Sequence, residues 1–365
     1  MSARFSLHKS MFGESERLLC RMGEFAVSTF RYDSGIEALR AKNTRGEIIV
    51  LPFKGQQIWR AIFDGRDLTM KSMFEEPVAT ATYLETYGAF FIHCGITGMG
   101  APGPADRHPL HGELPNAPFQ YAWLELDEAE KRLTVGGAYR HTVAFASNYR
   151  ATAEIALLAG SALIDASLTV ENLKKTPMDL MYLGHANFRP DDYGELHYTA
   201  PYAADAVRVR RSIPGHITPK PGYAEFVAEL ANDPSIHHTL KPGLAFDPEI
   251  VFTIAMQPGD DGFAHTLQKR RDGTADYIRY RPSQAPICMR WISRTPDQDA
   301  IGMAFPSTSE VEGHAAEKAK GQVAVLDGGK TWRVDMRMGH LAAAETTAVA
   351  AEINRIRAAN GVVSP

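Results

Sequence analysis

Two short segments hold the residues best suited to proton chemistry: His108-Pro-Leu-His111-Gly-Glu113 and Tyr182-Leu-Gly-His185-Ala-Asn187-Phe188. Each places a histidine at the edge of what reads as a β-strand, and imidazole gives and takes protons near neutral pH. Positions so far apart in sequence can meet only through the fold, so they predict a two-part polar site that transfers protons. His185, His111 and Glu113 are the candidate catalytic groups. Gly112, directly after His111, leaves room for another group to approach closely. The plainer reading of His185 and Asn187 is a polar strand end that satisfies loop backbone.

Further residues read as candidate substrate contacts. His93, in Phe90-Phe-Ile-His-Cys-Gly, shares a strand face with Phe91. It serves either the site or the strand, as a half-buried histidine bonded to backbone. His108 is a site residue or a solvated loop residue. Arg290-Trp291 and Trp59-Arg60 each pair an indole, which stacks on the apolar face of a sugar ring, with a guanidinium that donates to hydroxyls. A tryptophan in a strand is equally a core residue. The substrate-contact candidates are therefore Arg60, His93, His108, Asn187, Arg290 and Trp291. Arg60, Arg189, Arg290 and Arg294 would suit an anionic sugar.

The elements that must position these residues are mostly strands. Ile164, Ala166, Leu168 and Val170 alternate with Leu163, Asp165, Ser167 and Thr169, the period of a strand with one buried face. Val334, Met336 and Met338 repeat the pattern near the end of the chain. Asp327-Gly328-Gly329 reads as a hairpin turn joining that strand to Gln322–Leu326, and Asp64-Gly65 and Asp272-Gly273 are further turns. The last of these falls between Ala264–Lys269 and Ala275–Tyr280. Helical pattern is confined to Tyr223–Asn232 and the Ala- and Glu-rich tail from Leu341 to Ala359. Many strands with regular turns predict a large all-β sandwich or barrel. Its domain is expected to span residues 1–340, with a C-terminal helix and tail over 341–365. The Pro/Gly-rich stretch Gly98–Pro118 carries the first histidine motif and reads as a site loop, not a linker.

Composition narrows the function classes. The 365 residues are 44% hydrophobic and 22% charged, values of a soluble globular protein with a full core. A net charge of −4 without a Lys/Arg block gives no sign of a nucleic-acid partner. Three dispersed cysteines, Cys20, Cys94 and Cys288, suit a reducing compartment. The charged first twenty residues lack a signal-peptide core, and no apolar run reaches membrane-span length. A cytoplasmic protein, monomer or homodimer, without a membrane partner is expected.

Together the segments resemble the galactose mutarotase-like (aldose 1-epimerase) superfamily. Leu110-His111-Gly112 is similar to its Leu-His-Gly, whose histidine contacts the sugar near its reacting end, and His185-Ala186-Asn187-Phe188 to the motif whose histidine is the general acid. Arg290-Trp291 and Gly302–Thr308 resemble a later strand pair. The order of these motifs follows the superfamily from about residue 50 to 338. The resemblance implies a twisted antiparallel β-supersandwich, a small-molecule sugar as substrate, and anomer interconversion by an acid and a base without a cofactor. His185 would be the acid and His111 a substrate-polarising partner. The chain departs from the pattern at the base: the family's Glu before a Pro is here Phe305 before Pro306, which cannot take a proton. Glu113, Glu310 or Glu312 would have to replace it. Two other readings remain. His93, His108, His111 and His185 with Glu113 could bind a divalent metal and isomerise or cleave a keto-sugar, although their spacing matches no strong zinc signature. Alternatively the chain binds carbohydrate without catalysis.

Overall fold

A computed structural model describes residues 2–215 and 217–360 of the chain; the tail at 361–365 lies outside them. Within these residues the backbone forms two large antiparallel sheets. A nine-stranded sheet runs from Ser2–Leu7 through the long hairpin Arg132–Val143/Ser147–Leu158 to Leu163–Asn172, Thr331–Leu341 and the edge strand Glu195–Tyr198. A thirteen-stranded sheet carries the candidate site. Its central strand Met178–Ala186 lies between Asp299–Ser307 and Phe91–Ile96, and Ile287–Arg294 and Ile250–Ile254 continue outward. These two sheets make the all-β sandwich that the strand pattern predicts.

Alternation explains how the sheets meet. Ile164, Leu168 and Val170 are fully buried while Asp165 and Thr169 on the other face are partly exposed. These residues join the main core between the sheets, with Leu180, Tyr182 and Phe91 entering it from the thirteen-stranded side. The opposite face of that sheet is also buried. Ile92, Cys94, Leu183, Met289, Trp291 and Phe305 form a second apolar cluster there, roofed by residues of the loops. The candidate site is cut into this second cluster.

Asp272-Gly273 turns between Ala264–Lys269 and Ala275–Tyr280, and helices occupy Tyr223–Asn232 and Ala343–Ala359. One expected hairpin is corrected. Ala324–Leu326 does not pair with Thr331–Leu341 after the Asp327–Gly329 turn; it pairs with Met178–Leu180. Thr331–Leu341 is already flanked on both edges, by Leu163–Asn172 and Ala275–Tyr280, so no edge is left for it. Among the described residues no helix is long and apolar enough to cross a membrane.

Candidate active site

A cavity of about 450 Å³ opens on the outer face of the thirteen-stranded sheet. Its floor is strand, with Leu183 and His185 from the central strand, Met289 and Trp291 from its second neighbour, and Phe305 between. Its walls are loop. The Pro/Gly-rich stretch contributes Leu110 and His111, and a short 3-10 turn, Tyr83–Thr86, and its C-cap contribute Tyr83 and Tyr87.

His185 is 5% exposed and is held by a neighbour two residues on. Its Nδ1 lies 2.6 Å from Asn187 Oδ1. The Asn187 amide is itself oriented, because its Nδ2 donates to Ala89 O at 2.9 Å, which leaves Oδ1 facing the ring. An amide oxygen only accepts, so Nδ1 carries the ring proton and Nε2 is left with its lone pair. Burial pushes the His185 pKa down to about 3, against the smaller opposing effect of the Asn187 bond. The resting imidazole is therefore neutral, with Nε2 an acceptor. Aromatic rings surround it: Phe305 at 4.0 Å between centroids, Trp291 at 5.6 Å, Tyr87 at 5.7 Å and His111 at 5.5 Å. Phe305 reaches this position because residue 302 is glycine; a Cβ there would meet the Phe305 ring at 1.9 Å.

His111 sits in the left-handed region, at φ +60°, followed by Gly112 at +83°. The room left by Gly112 is filled by the protein's own backbone, since a Cβ there would meet Gly98 O at 2.3 Å and Gly95 O at 2.4 Å. Backbone bonds His111 N to Gly100 O and Gly95 N to His111 O lock the loop, and the imidazole is delivered 4.8 Å from the Tyr83 ring. Such a conformation is costly for a non-glycine residue and marks a place where the fold over-determines the backbone. Burial holds both Tyr83 and Tyr87 well above the usual phenol range, so both hydroxyls are neutral.

Sequence reasoning missed the polar end of the cavity. Glu249 accepts a hydrogen bond from Trp291 Nε1 at 2.7 Å. Ser293 donates to Pro248 O and accepts from Gln298 Nε2, and Thr295 and Asp297 complete this end. Among the described residues, Glu249 and Asp297 are the carboxylates on the cavity wall. Glu249 follows Asp247 and Pro248 directly before Ile250–Ile254, and nothing in that local pattern separates it from an ordinary loop carboxylate. Tyr83 and Tyr87 gave no signal beyond their spacing.

Several sequence candidates lie outside this cavity. Glu113 accepts from the Ile96 and Thr97 backbones, from Thr97 Oγ1 and from Tyr149 Oη at 2.7 Å, all outside the cavity. His93 is fully buried on the inter-sheet face, its Nδ1 2.8 Å from Tyr182 Oη. His108 donates to Pro109 O and accepts from His314 N in a separate groove. Arg60 donates to the carbonyls of Trp59, Gly88 and Phe74, bracing the segment that carries the two tyrosines. Arg290 is fully buried on the inter-sheet side, bound to Met303 O and His237. Arg189 and Arg294 are tied to Asp67 and Asp299, outside the cavity. Glu310 and Glu312 are also engaged. Burial raises the Glu312 pKa, but bonds from Arg210 and Ser212 outweigh it and hold the carboxyl below its usual range. The arginine on the cavity wall is Arg210, paired to Glu312. Among the described residues no group of three His, Cys, Asp or Glu side chains is placed to hold a metal ion.

The comparisons agree with this architecture. Residues 33–190 match a family model described as a domain of unknown function (DUF4432). No curated protein matches the sequence. A solved structure from Klebsiella pneumoniae, provisionally named an aldose 1-epimerase, superposes with a TM-score of 0.80 over 98% of this chain and 96% of its own, at 18% identity. A galactose mutarotase-like protein from Clostridium acetobutylicum gives 0.59 over 87% and 98%, at 12% identity. One from Lactobacillus casei gives 0.52 over 83% and 99%, at 11%. At these identities the likeness establishes the fold class: a galactose mutarotase-like β-supersandwich.

Proposed function

We propose that the protein is a carbohydrate isomerase of the mutarotase type, acting at the anomeric centre of a sugar bound in the cavity. The observation that carries this reading is the His185–Asn187 pair on the cavity floor, which presents an unprotonated Nε2 beside an indole face. Trp291 stacks against the apolar face of the sugar ring, and Glu249 fixes the indole through Nε1.

One imidazole suffices for the chemistry. Nε2 takes the proton of the anomeric hydroxyl. The electrons of that O–H bond form the carbonyl at C1, and the bond from C1 to the ring oxygen breaks, leaving its pair on oxygen. The ring oxygen, attached to the same carbon at the outset, then takes the proton back from the imidazolium. Rotation about the bond beside the aldehyde and the reverse sequence give the other anomer, with atoms and charge balanced. Asn187 Oδ1 accepts from Nδ1–H throughout and stabilises the transient imidazolium. This account lets Phe305 stand where the family places a carboxylate, because His185 serves first as base and then as acid. Tyr83, Tyr87 and His111 line the opposite wall and hold hydroxyls of the substrate.

Proton-NMR exchange between anomers, over a panel of neutral and acidic aldoses, tests the reading. Accelerated exchange for at least one sugar that His185→Ala abolishes is the expected result. No acceleration on any member of the panel would overturn it.

A further inference from the structure

The nine-stranded sheet carries a groove of about 260 Å³ on its wet face, and no residue of its wall belongs to the cavity of His185. Register builds it. Asp165 and Ser167 on Leu163–Asn172 pair with Arg337 and Asp335 on Thr331–Leu341, and Arg279 on Ala275–Tyr280 lies directly opposite Arg337. Five guanidiniums line the groove, those of Arg132, Arg279, Arg281, Arg333 and Arg337. Three carboxylates face them, Glu154, Asp165 and Asp335. A chain with a net charge of −4 therefore gathers two surplus positive charges in one place.

The carboxylates do not serve all five cations. Asp165 accepts from Arg132 at 2.8 Å and from Nε and Nη2 of Arg337, and Asp335 meets Arg333 at 2.7 Å. Arg281 donates to a carbonyl, Asp261 O, at 2.6 Å. Among the described residues Arg279 reaches a carboxylate only at 3.9 Å, that of Asp261, whose side chain is 51% exposed. Its Nε is shielded from solvent and has no hydrogen-bond partner there. What holds these two guanidiniums is the ring of Phe263, 4.3 Å from Arg279 and 3.7 Å from Arg281.

Like charges directly opposite on neighbouring strands are destabilising, and Arg279 opposite Arg337 is such a pair. A dianion between them removes the repulsion and matches the surplus of two. We infer that the groove is a second ligand site, binding a phosphate, free or as the monoester of a small molecule. Its oxygens accept charge-assisted bonds from Arg279, Arg281 and Arg337, the forked geometry that guanidinium offers to oxyanions. Glu154 does not oppose this, because its strand lies two strands from that of Arg337 and three from that of Arg279. At the usual strand spacing those are separations of about 10 and 14 Å. The inference is independent of the mutarotase reading.

Calorimetric titration at low ionic strength and about pH 8, where phosphate is a dianion, tests it with inorganic phosphate, glycerol 3-phosphate and, as a monoanion control, acetate. One of the two phosphates is expected to bind at least about tenfold more tightly than acetate, and more weakly as sodium chloride is raised. Arg279→Gln and Arg281→Gln should each weaken binding by about tenfold, the share of one charge-assisted bond. Glu154→Gln should do the opposite, tightening it about twofold by removing a like charge some 10 Å away. Melting temperatures show that the variants are folded, and Arg279→Gln, which relieves the cross-strand repulsion, should not lower it. Whichever phosphate binds more tightly, with the loss in both arginine variants, identifies the ligand as free phosphate or ester. No binding of either phosphate at millimolar concentration, acetate bound as tightly, or affinity unchanged in both arginine variants would overturn the inference.

Discussion

His185 and His93 sit on adjacent strands, each held at about pKa 3 by burial, yet they face opposite sides of one sheet. His93 points between the sheets, bonds Tyr182 Oη and meets Phe91 edge-on at 4.7 Å. His185 points outward, bonds Asn187 Oδ1 and lines the cavity. Burial and charge state are the same; what differs is whether a ligand can reach the second ring nitrogen. A depressed histidine pKa alone therefore says nothing about function. Glu113 and Glu249 repeat the lesson for carboxylates. Glu113 has four protein donors, whereas Glu249 accepts one bond from the tryptophan that floors the cavity and borders open space with the rest of its carboxylate.

Matched substitutions pull the two histidines apart. His185→Ala should cut anomer exchange by about 10²- to 10⁴-fold, the range for loss of a general acid–base group, with little change in the melting temperature. His93→Ala should do the opposite, costing roughly 2–4 kcal/mol in a denaturant titration while the remaining folded protein keeps its turnover. The cost follows from the cavity it leaves and from an orphaned Tyr182 hydroxyl. Equal losses of activity and stability in both variants would erase the distinction.

Asn187→Asp sharpens it. A carboxylate facing Nδ1 favours the imidazolium, so the acid limb of kcat/KM, expected in the wild type near the His185 value of about 3, should move upward by about 1–3 pH units. An unmoved limb would remove His185 from the titration. Glu113→Gln is a smaller perturbation. It should cost about 1–3 kcal/mol of stability by weakening charged hydrogen bonds to Ile96, Thr97 and Tyr149, and leave exchange intact.

Acid stability gives a shallower test. His93, His185 and His238 are each pushed down to about 3 by burial, and His237 is held well below its usual range. Unfolding raises them toward about 6.5, so below that pH the unfolded chain binds more protons than the folded one. Stability should be unaffected by these groups above about pH 6.5 and fall as pH drops from there toward 3, each group contributing up to about 1.4 kcal/mol per pH unit. Denaturant midpoints across that window read the slope, and His93→Ala should reduce it by one group's share.

Much of the fold was legible because the nine-stranded sheet has one wet face. Alternation at 163–170 and 333–338, and the turns at Asp64-Gly65 and Asp272-Gly273, map directly onto strands and hairpins. The thirteen-stranded sheet resists the same reading. Phe91–Ile96 is buried at every position, so alternation separates His93 from Ile92 without saying which face meets the cavity. For the same reason the sequence suggests a substrate contact at Arg290, next to Trp291, while its side chain turns to the inter-sheet core. His111, His185, Asn187 and Trp291 were visible as motifs. Glu249, Tyr83 and Tyr87 reach the cavity through chain turns and register that no local pattern encodes.

The proposed proton transfer depends on one tautomer of His185. Ring-nitrogen NMR of protein labelled with ¹⁵N-histidine, with the His185 signals assigned by loss in His185→Ala, observes it directly. The account predicts a protonated Nδ1 and an unprotonated Nε2, unchanged from neutral pH down to about 4, with Nε2 shifting when a sugar that undergoes exchange is added. A His185 that titrates near 6.5, or that carries its proton on Nε2, would contradict it.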